Sequence, residues 1–287
     1  MYAGGDILSS GSVLNSQTSV ERSYQGATSR GNLFLHHNDN DISRVHAGGR
    51  ILTSNFSVAG PGLLEVSAGG SILIQDQASI VSLGPVVQGD SRRGADIAVM
   101  AGLADSPLDV DGLLSRYLDP ANLADQDMPL ADQPDRVAAL YTDELIEWLA
   151  ARYGFQGDNL ESALAVFAGL NDSAQQIFAR QVLFAELLAS GREFNDADGP
   201  RPGSYLRGRR VIEAAFPERA EEGSTGGDLV MFGDAGIQTL RGGDIHLLTP
   251  SGAQTLGVEG TDPAGTAGVV TLGEGSIRQL SLSLIHI

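Results

Sequence analysis

The chain has 287 residues, a length that allows one or two domains. Its 36 acids outweigh 18 basic residues, all of them arginine, for a net charge of −18. That balance leaves no broad basic footprint for a phosphate backbone, so nucleic acid is not an expected partner. Cysteine and lysine are both absent, which excludes disulfides, thiolate metal sites, a cysteine nucleophile, a lysine Schiff base and a Walker lysine.

No run of about 20 apolar residues occurs, so no transmembrane helix is expected. No basic, apolar signal segment opens the chain. Residues Met1 to Leu8 instead begin inside a repeat phrase. A repeat array ordinarily starts with a polar cap, and its lack leads to the expectation of a fragment.

Residues 1–104 carry the phrase small-Gly-Gly-polar-Ile-Leu at Ala3 to Leu8, Ala47 to Leu52 and Ala68 to Leu73. A weaker copy runs from Arg93 to Val99. The glycines suit tight turns, and the branched residues after them suit strand starts. Pro61 to Leu83 holds several short strand-prone runs of this kind, too short to stand alone. The spacing predicts coils of a parallel β-helix, two or three short strands each, stacked at about 4.8 Å. The longer gap between Gly5 and Gly49 is expected to hold two coils, with a loop at Glu21 to Gly26.

His36-His37-Asn38-Asp39-Asn40-Asp41 is the most polar cluster of this half. Histidine and aspartate can ligate metals, but the spacing fits no zinc or EF-hand pattern. An exposed turn is the expected reading.

Residues 105–222 change character. Gly-Gly pairs vanish, and the apolar period moves from 2 toward 3.6. Asp105 to Pro134 is acidic and proline-punctuated, with a short apolar piece at Leu113 to Leu118. Thr142-Asp143-Glu144 opens a helix whose face is Leu145, Trp148 and Leu149, ending near Tyr153-Gly154. Asp158 to Glu161 and Ser173 to Gln176 have capping-box spacing before two further helices, the second stopped by Gly191. A last helix is expected from Leu206 to Phe216. This block holds 22 acids and 10 arginines, a net of −12. It reads as an acidic, all-helical insertion.

Residues 223–280 resume the repeats at Gly226-Gly227-Asp228-Leu229 and Gly242-Gly243-Asp244-Ile245. Residues 281–287 abandon them and are expected to be a truncated or non-native tail. The predicted fold is therefore mainly β, a parallel β-helix interrupted by an all-helical insertion.

Chemical motifs are sparse. The Gly-Gly-Asp phrases lack the further glycine of calcium-binding nonapeptides, so their aspartates are assigned to turn geometry through nearby backbone groups. There is no Rossmann fingerprint, P-loop, Gly-x-Ser-x-Gly or His-Glu-x-x-His. His246 sits at an alternating strand position. Asp39/Asp41 and Glu144/Glu147 are spaced like carboxylate pairs, and Arg92-Arg93 is the one basic pair in the repeats. None converges into a catalytic set, so no enzyme activity, metal or cofactor is expected. Trp148, Tyr153, Arg207, Arg209 and Arg210 form a candidate recognition surface, with core packing and internal charge pairing as the simpler alternatives.

Taken together, Ala68 to Ile74, Tyr141 to Gly154, Phe178 to Leu188 and the two Gly-Gly-Asp phrases resemble large exoproteins of the filamentous haemagglutinin family, in their C-terminal conserved region. That resemblance implies a right-handed β-helix, secreted or held at the surface of a Gram-negative cell. It also implies an outer-membrane two-partner secretion transporter as partner. The function it implies is a structural or adhesive segment for cell adhesion, haemagglutination or biofilm formation, with a surface glycan or protein as target. The alternatives are a β-helix carbohydrate-active enzyme, a polysaccharide lyase or glycoside hydrolase, and a binding module carried by the helical insertion.

Overall fold

The computed structural model describes residues 1–8, 32–75, 78–85, 87–103, 108–217, 226–250, 252–257 and 268–281. The chain divides into two compact units, one formed by Met1–Ser106 with Glu221–Ile287, the other by Pro107–Ala220. The sequence-predicted loop at Glu21 to Gly26 and residues 282–287 lie outside the described residues.

Among the described residues, the first unit holds sixteen short strands in three parallel sheets. The first sheet contains β1 (Tyr2–Ala3), β4 (Ile42–Ala47), β7 (Leu63–Ala68), β10 (Asp96–Ala101), β13 (Ile245–Thr249) and β16 (Ile277–Ser281), in that order. The second runs β2 (Ile7–Leu8), β5 (Ile51–Leu52), β8 (Ile72–Ile74), β11 (Leu229–Met231) and β14 (Gln254–Leu256). The third runs β3 (Asn32–Leu35), β6 (Phe56–Ala59), β9 (Ser79–Gly84), β12 (Gly236–Thr239) and β15 (Gly268–Thr271). Each strand pairs with the strand three further on, so the chain visits the three sheets in turn before returning one level along. The three sheets are separate, and among the described residues the only helices between successive strands are those after β10.

Register stacks like on like. Ile7, Ile51, Ile72 and Leu229 lie opposite one another in the second sheet, and Val45, Val66, Val99 and Leu247 in the first. All are buried in one core. Full burial of such a side chain contributes about 1.5–3 kcal/mol, which lets strands of two to six residues persist.

The aspartates of the glycine phrases act between levels. Asp6 Oδ1 accepts the Arg50 N–H at 2.7 Å, and Asp228 Oδ1 accepts that of Ala253 at 2.8 Å. Asp96 Oδ1 takes the Asp244 N–H at 2.8 Å, and Asp244 Oδ1 takes that of Ser276 at 2.7 Å. These bonds reach residues far along the chain, where local turn bonds were expected.

The described residues of the second unit pack as α1 (Val110–Leu118), α2 (Thr142–Tyr153), α3 (Leu160–Ala168), α4 (Asp172–Asn195) and α5 (Leu206–Ala215). Asp109, Asn159 and Asn171 cap α1, α3 and α4 by accepting from Gly112, Ser162 and Ala174 N–H groups. Gly154, at φ 66°, closes α2 in the left-handed conformation.

Several expectations are corrected. A mainly β chain, a right-handed parallel β-helix broken by an insertion, understates the helices. They hold about as many residues as the strands, and one is 24 residues long. The chain is α/β in content, with its helices gathered in a unit of their own. The repeat phrase does not mark one position per level either. Gly69-Gly70 and Gly226-Gly227 precede the second sheet, whereas Gly94 and Gly242-Gly243 precede the first. Gly5 and Gly49 are one level apart instead of two, because Tyr2 pairs directly with His46. Gly191 does not stop α4, which has open space there and continues to Asn195.

Candidate functional site

An open cleft on the helical unit is formed by the segment joining α1 to α2. That segment spans residues 119–141 with only two short 3-10 turns, Pro120–Asn122 and Leu130–Asp132. Connections this long without regular structure are uncommon in compact domains and are generally functional or disordered. This one is held at many points.

Asp119 caps the first turn through the Ala121 N–H at 2.9 Å. Asn122 Nδ2 donates back to the carbonyls of Ser115 and Arg116. Leu123 and Val137 form a parallel bridge, flanked by Ala124 N–H to Val137 O at 2.9 Å and Val137 N–H to Asn122 O at 2.8 Å. The Gln133 side chain is buried at the centre. Its Oε1 accepts the Asp125 N–H at 2.8 Å, and its Nε2 donates to the carbonyls of Asp125 and Met128 at 2.9 and 3.0 Å.

Two arginines tie the segment to the helices. Arg116, on α1, donates to the Pro134 carbonyl at 2.8 Å. Arg210, on α5, donates to the carbonyls of Leu130 and Arg136 at 2.7 and 2.9 Å. Burial, helped by neighbouring Arg116, holds Arg210 below the ordinary arginine value. Its carbonyl partners explain why a cation is kept there.

The result is an open cleft of about 660 Å³ lined by Pro120, Leu123, Ala124, Asp125, Met128 and residues 132–136. Leu123 and Met128 are 43% and 49% exposed. Asp125, Asp132 and Asp135 line the same cleft against one cation, Arg136, and the segment carries two further acids, Asp119 and Asp127. It therefore offers apolar contact inside an anionic rim on a fixed backbone. Sequence reading saw the acid and proline content but not the cleft, because Gln133 and Arg210 meet the backbone only after folding.

The sequence-predicted recognition residues fall in several places. Trp148 is buried and packs on Phe167, Phe178 and Tyr153 at ring distances of 6.0, 5.4 and 5.5 Å. Arg152 lies over its face at 5.6 Å. Tyr153 is 37% exposed at the edge of this cluster. Arg207 is enclosed among carboxylates. Its Nε donates to Glu186 at 2.8 Å and its Nη1 to Glu193 at 2.7 Å. Burial opposes its charge, yet these bonds hold it above the ordinary arginine value. Tyr141 donates to the same Glu186 at 2.7 Å, and burial together with that carboxylate pushes its phenol up. Arg209 is exposed, and Arg210 supports the cleft from behind.

The remaining candidates lie in the strand unit or on helix surfaces. Arg92 bonds Asp90, Asp39 and the His37 carbonyl, while Arg93 pairs with Asp96 and Asp244. Asp41 accepts the His37 and Asn38 N–H groups, so Asp39 and Asp41 serve different partners. Glu144 and Glu147 are exposed on α2. His246 is half-buried on β13, opposite Arg278 of β16. Among the described residues, no group of three or more histidines and acids is arranged to hold a metal, and no helix is long and apolar enough to cross a membrane.

The adhesive function and the haemagglutinin assignment are corrected as well. Both rested on a resemblance carried by the glycine phrases and the helical block. The phrases occupy non-equivalent positions, and the block has its own core and cleft. Buried His–Ser contacts, His36 with Ser43 and His46 with Ser67, also depart from a purely repetitive shaft. No family model, no curated protein and no solved structure matches this chain.

Proposed function

We propose that the helical unit is a binding module, and that its α1–α2 segment receives a basic segment of a protein partner bearing an apolar anchor residue. The observation that carries this reading is the pairing of exposed Leu123 and Met128 with Asp125, Asp132 and Asp135 in one cleft, on a backbone pinned by Gln133 and Arg210. An ordered loop loses little conformational entropy on binding, which favours affinity. The aspartates supply charge complementarity, which speeds encounter and rejects acidic partners. An anionic glycan fits this rim poorly.

A displayed library of random peptides, selected against the whole chain, tests the reading. The selected sequences should be rich in lysine or arginine around one large apolar residue, and should lose binding to Met128→Glu. Enrichment of acidic or uncharged sequences, or indifference to Met128→Glu, would count against it.

A further inference from the structure

In the strand unit one buried histidine has both ring nitrogens committed in a chemically defined way. His36 follows β3 and is 4% exposed. Its Nδ1 lies 2.7 Å from the Pro61 carbonyl oxygen. A carbonyl can only accept, so Nδ1 carries the proton. Nε2 then holds the free lone pair, and it lies 2.7 Å from Ser43 Oγ. Ser43 must therefore donate its hydroxyl proton toward Nε2.

The backbone around Pro61 fixes this arrangement. Gly60 and Gly62 have φ of +103° and +92°. A Cβ on Gly60 would strike the His36 carbonyl, and one on Gly62 would strike that of Asp41 and come within 3.1 Å of Nδ1. Only glycine lets the Pro61 carbonyl approach the ring this closely. Burial pushes the imidazole below the ordinary histidine value, opposed by the Pro61 bond and the Asp41 charge, so the ring is a neutral base near pH 7. Ser43, on β4, keeps partial exposure. The other contact of this kind does not qualify, because Ser67 is 3% exposed and the His46 ring is stacked under Tyr2.

We propose that Ser43 is a nucleophile and His36 its general base, acting on small carboxylic esters, with the Pro61 carbonyl fixing the tautomer. Ser43 Oγ bonds to the acyl carbon as Nε2 takes the hydroxyl proton. The acyl–oxygen bond to the leaving alcohol breaks as Nε2 returns that proton to the departing oxygen. Water then attacks the acyl-serine, Nε2 takes its proton, and the proton passes to Ser43 Oγ as the acid leaves. The net change is ester plus water to acid plus alcohol, with no redox partner needed.

Incubation of the whole chain with a fluorophosphonate probe, followed by peptide mapping, tests this. The expected result is an adduct on Ser43, absent in Ser43→Ala and formed at least tenfold more slowly in His36→Gln. The wild-type labelling rate should rise with pH to a plateau as His36 loses its proton. This profile decides the matter on the unaltered protein if His36→Gln fails to fold. No adduct on the wild-type chain, adducts only on other serines, or a rate insensitive both to pH and to His36→Gln would overturn the assignment.

Discussion

Asp244 Oδ1 accepts the backbone N–H of Ser276 at 2.7 Å, joining two successive levels of the strand stack across 32 residues of sequence. The same oxygen lies 3.0 Å from the Ser276 hydroxyl and 3.3 Å from Arg93. Burial alone would raise this carboxyl, but the Ser276 bonds and the Arg93 charge win and hold it below the ordinary aspartate value. A depressed folded-state pKa gives stability that is present above the unfolded value and lost as pH falls through the folded one. Chemical unfolding of the wild-type chain should therefore show stability falling below about pH 4, the ordinary aspartate range. Asp244→Asn keeps an acceptor oxygen but cannot titrate, so its stability should fall less steeply with acid. An identical acid profile in the variant would exclude Asp244 as a contributor. Asp244→Ala leaves the Ser276 N–H without its partner and should cost about 1.5–3 kcal/mol at pH 7.

Glu186 is fully buried and holds Arg207 and Tyr141 together between α4, α5 and the start of α2. Glu186→Ala strands the Arg207 guanidinium, leaving it Glu193 alone. The expected loss in unfolding free energy is about 3–5 kcal/mol. Replacing both Glu186 and Arg207 with leucine should recover much of that loss. A single-variant loss under about 1 kcal/mol, the scale of an exposed pair, would contradict the burial argument.

The chain's one tryptophan, Trp148, sits in the aromatic cluster of the helical unit. Its fluorescence should report that unit's unfolding. Trp148→Phe should keep the fold at modest cost, whereas Trp148→Ala should lower stability by about 3–5 kcal/mol through the cavity it leaves. Calorimetry of the alanine variant, compared with wild type, checks the magnitude, and an unchanged melting profile would place Trp148 outside the core.

Gln133 makes three hydrogen bonds that fix the backbone from Asp125 to Met128. Gln133→Ala should speed hydrogen exchange at the Asp125 amide by about tenfold or more, the equivalent of roughly 1.4 kcal/mol. It should also weaken selected peptides without altering any residue they touch. Unchanged exchange at that amide would mean that other contacts order the loop.

What was legible in the sequence was local. The amphipathic runs that form α2 and α4, and the strand-prone runs at Ile72 to Ile74 and Leu229 to Met231, follow from short-range patterning. The helix faces around Leu145, Trp148 and Leu149 were visible for the same reason. Relations between distant residues were not. Asp244 looks like a turn residue until its partner Ser276 is found one level away, and Arg210 looks like a free cation until the Leu130 and Arg136 carbonyls are placed beside it. Gly94 and Gly70 look equivalent, yet they turn the chain into different sheets. The site was the least legible part, because Leu123 and Met128 form a surface only once Gln133 and Arg210 have fixed the segment between them.

The most direct measurement is hydrogen exchange of the whole chain with and without a peptide selected for binding, read at peptide resolution. Binding at the α1–α2 segment should protect residues 123–136 and leave α3 and the strand sheets unchanged. Protection should weaken at high salt, where the aspartates are screened. Protection confined to other elements, with residues 123–136 unaffected, would contradict the account.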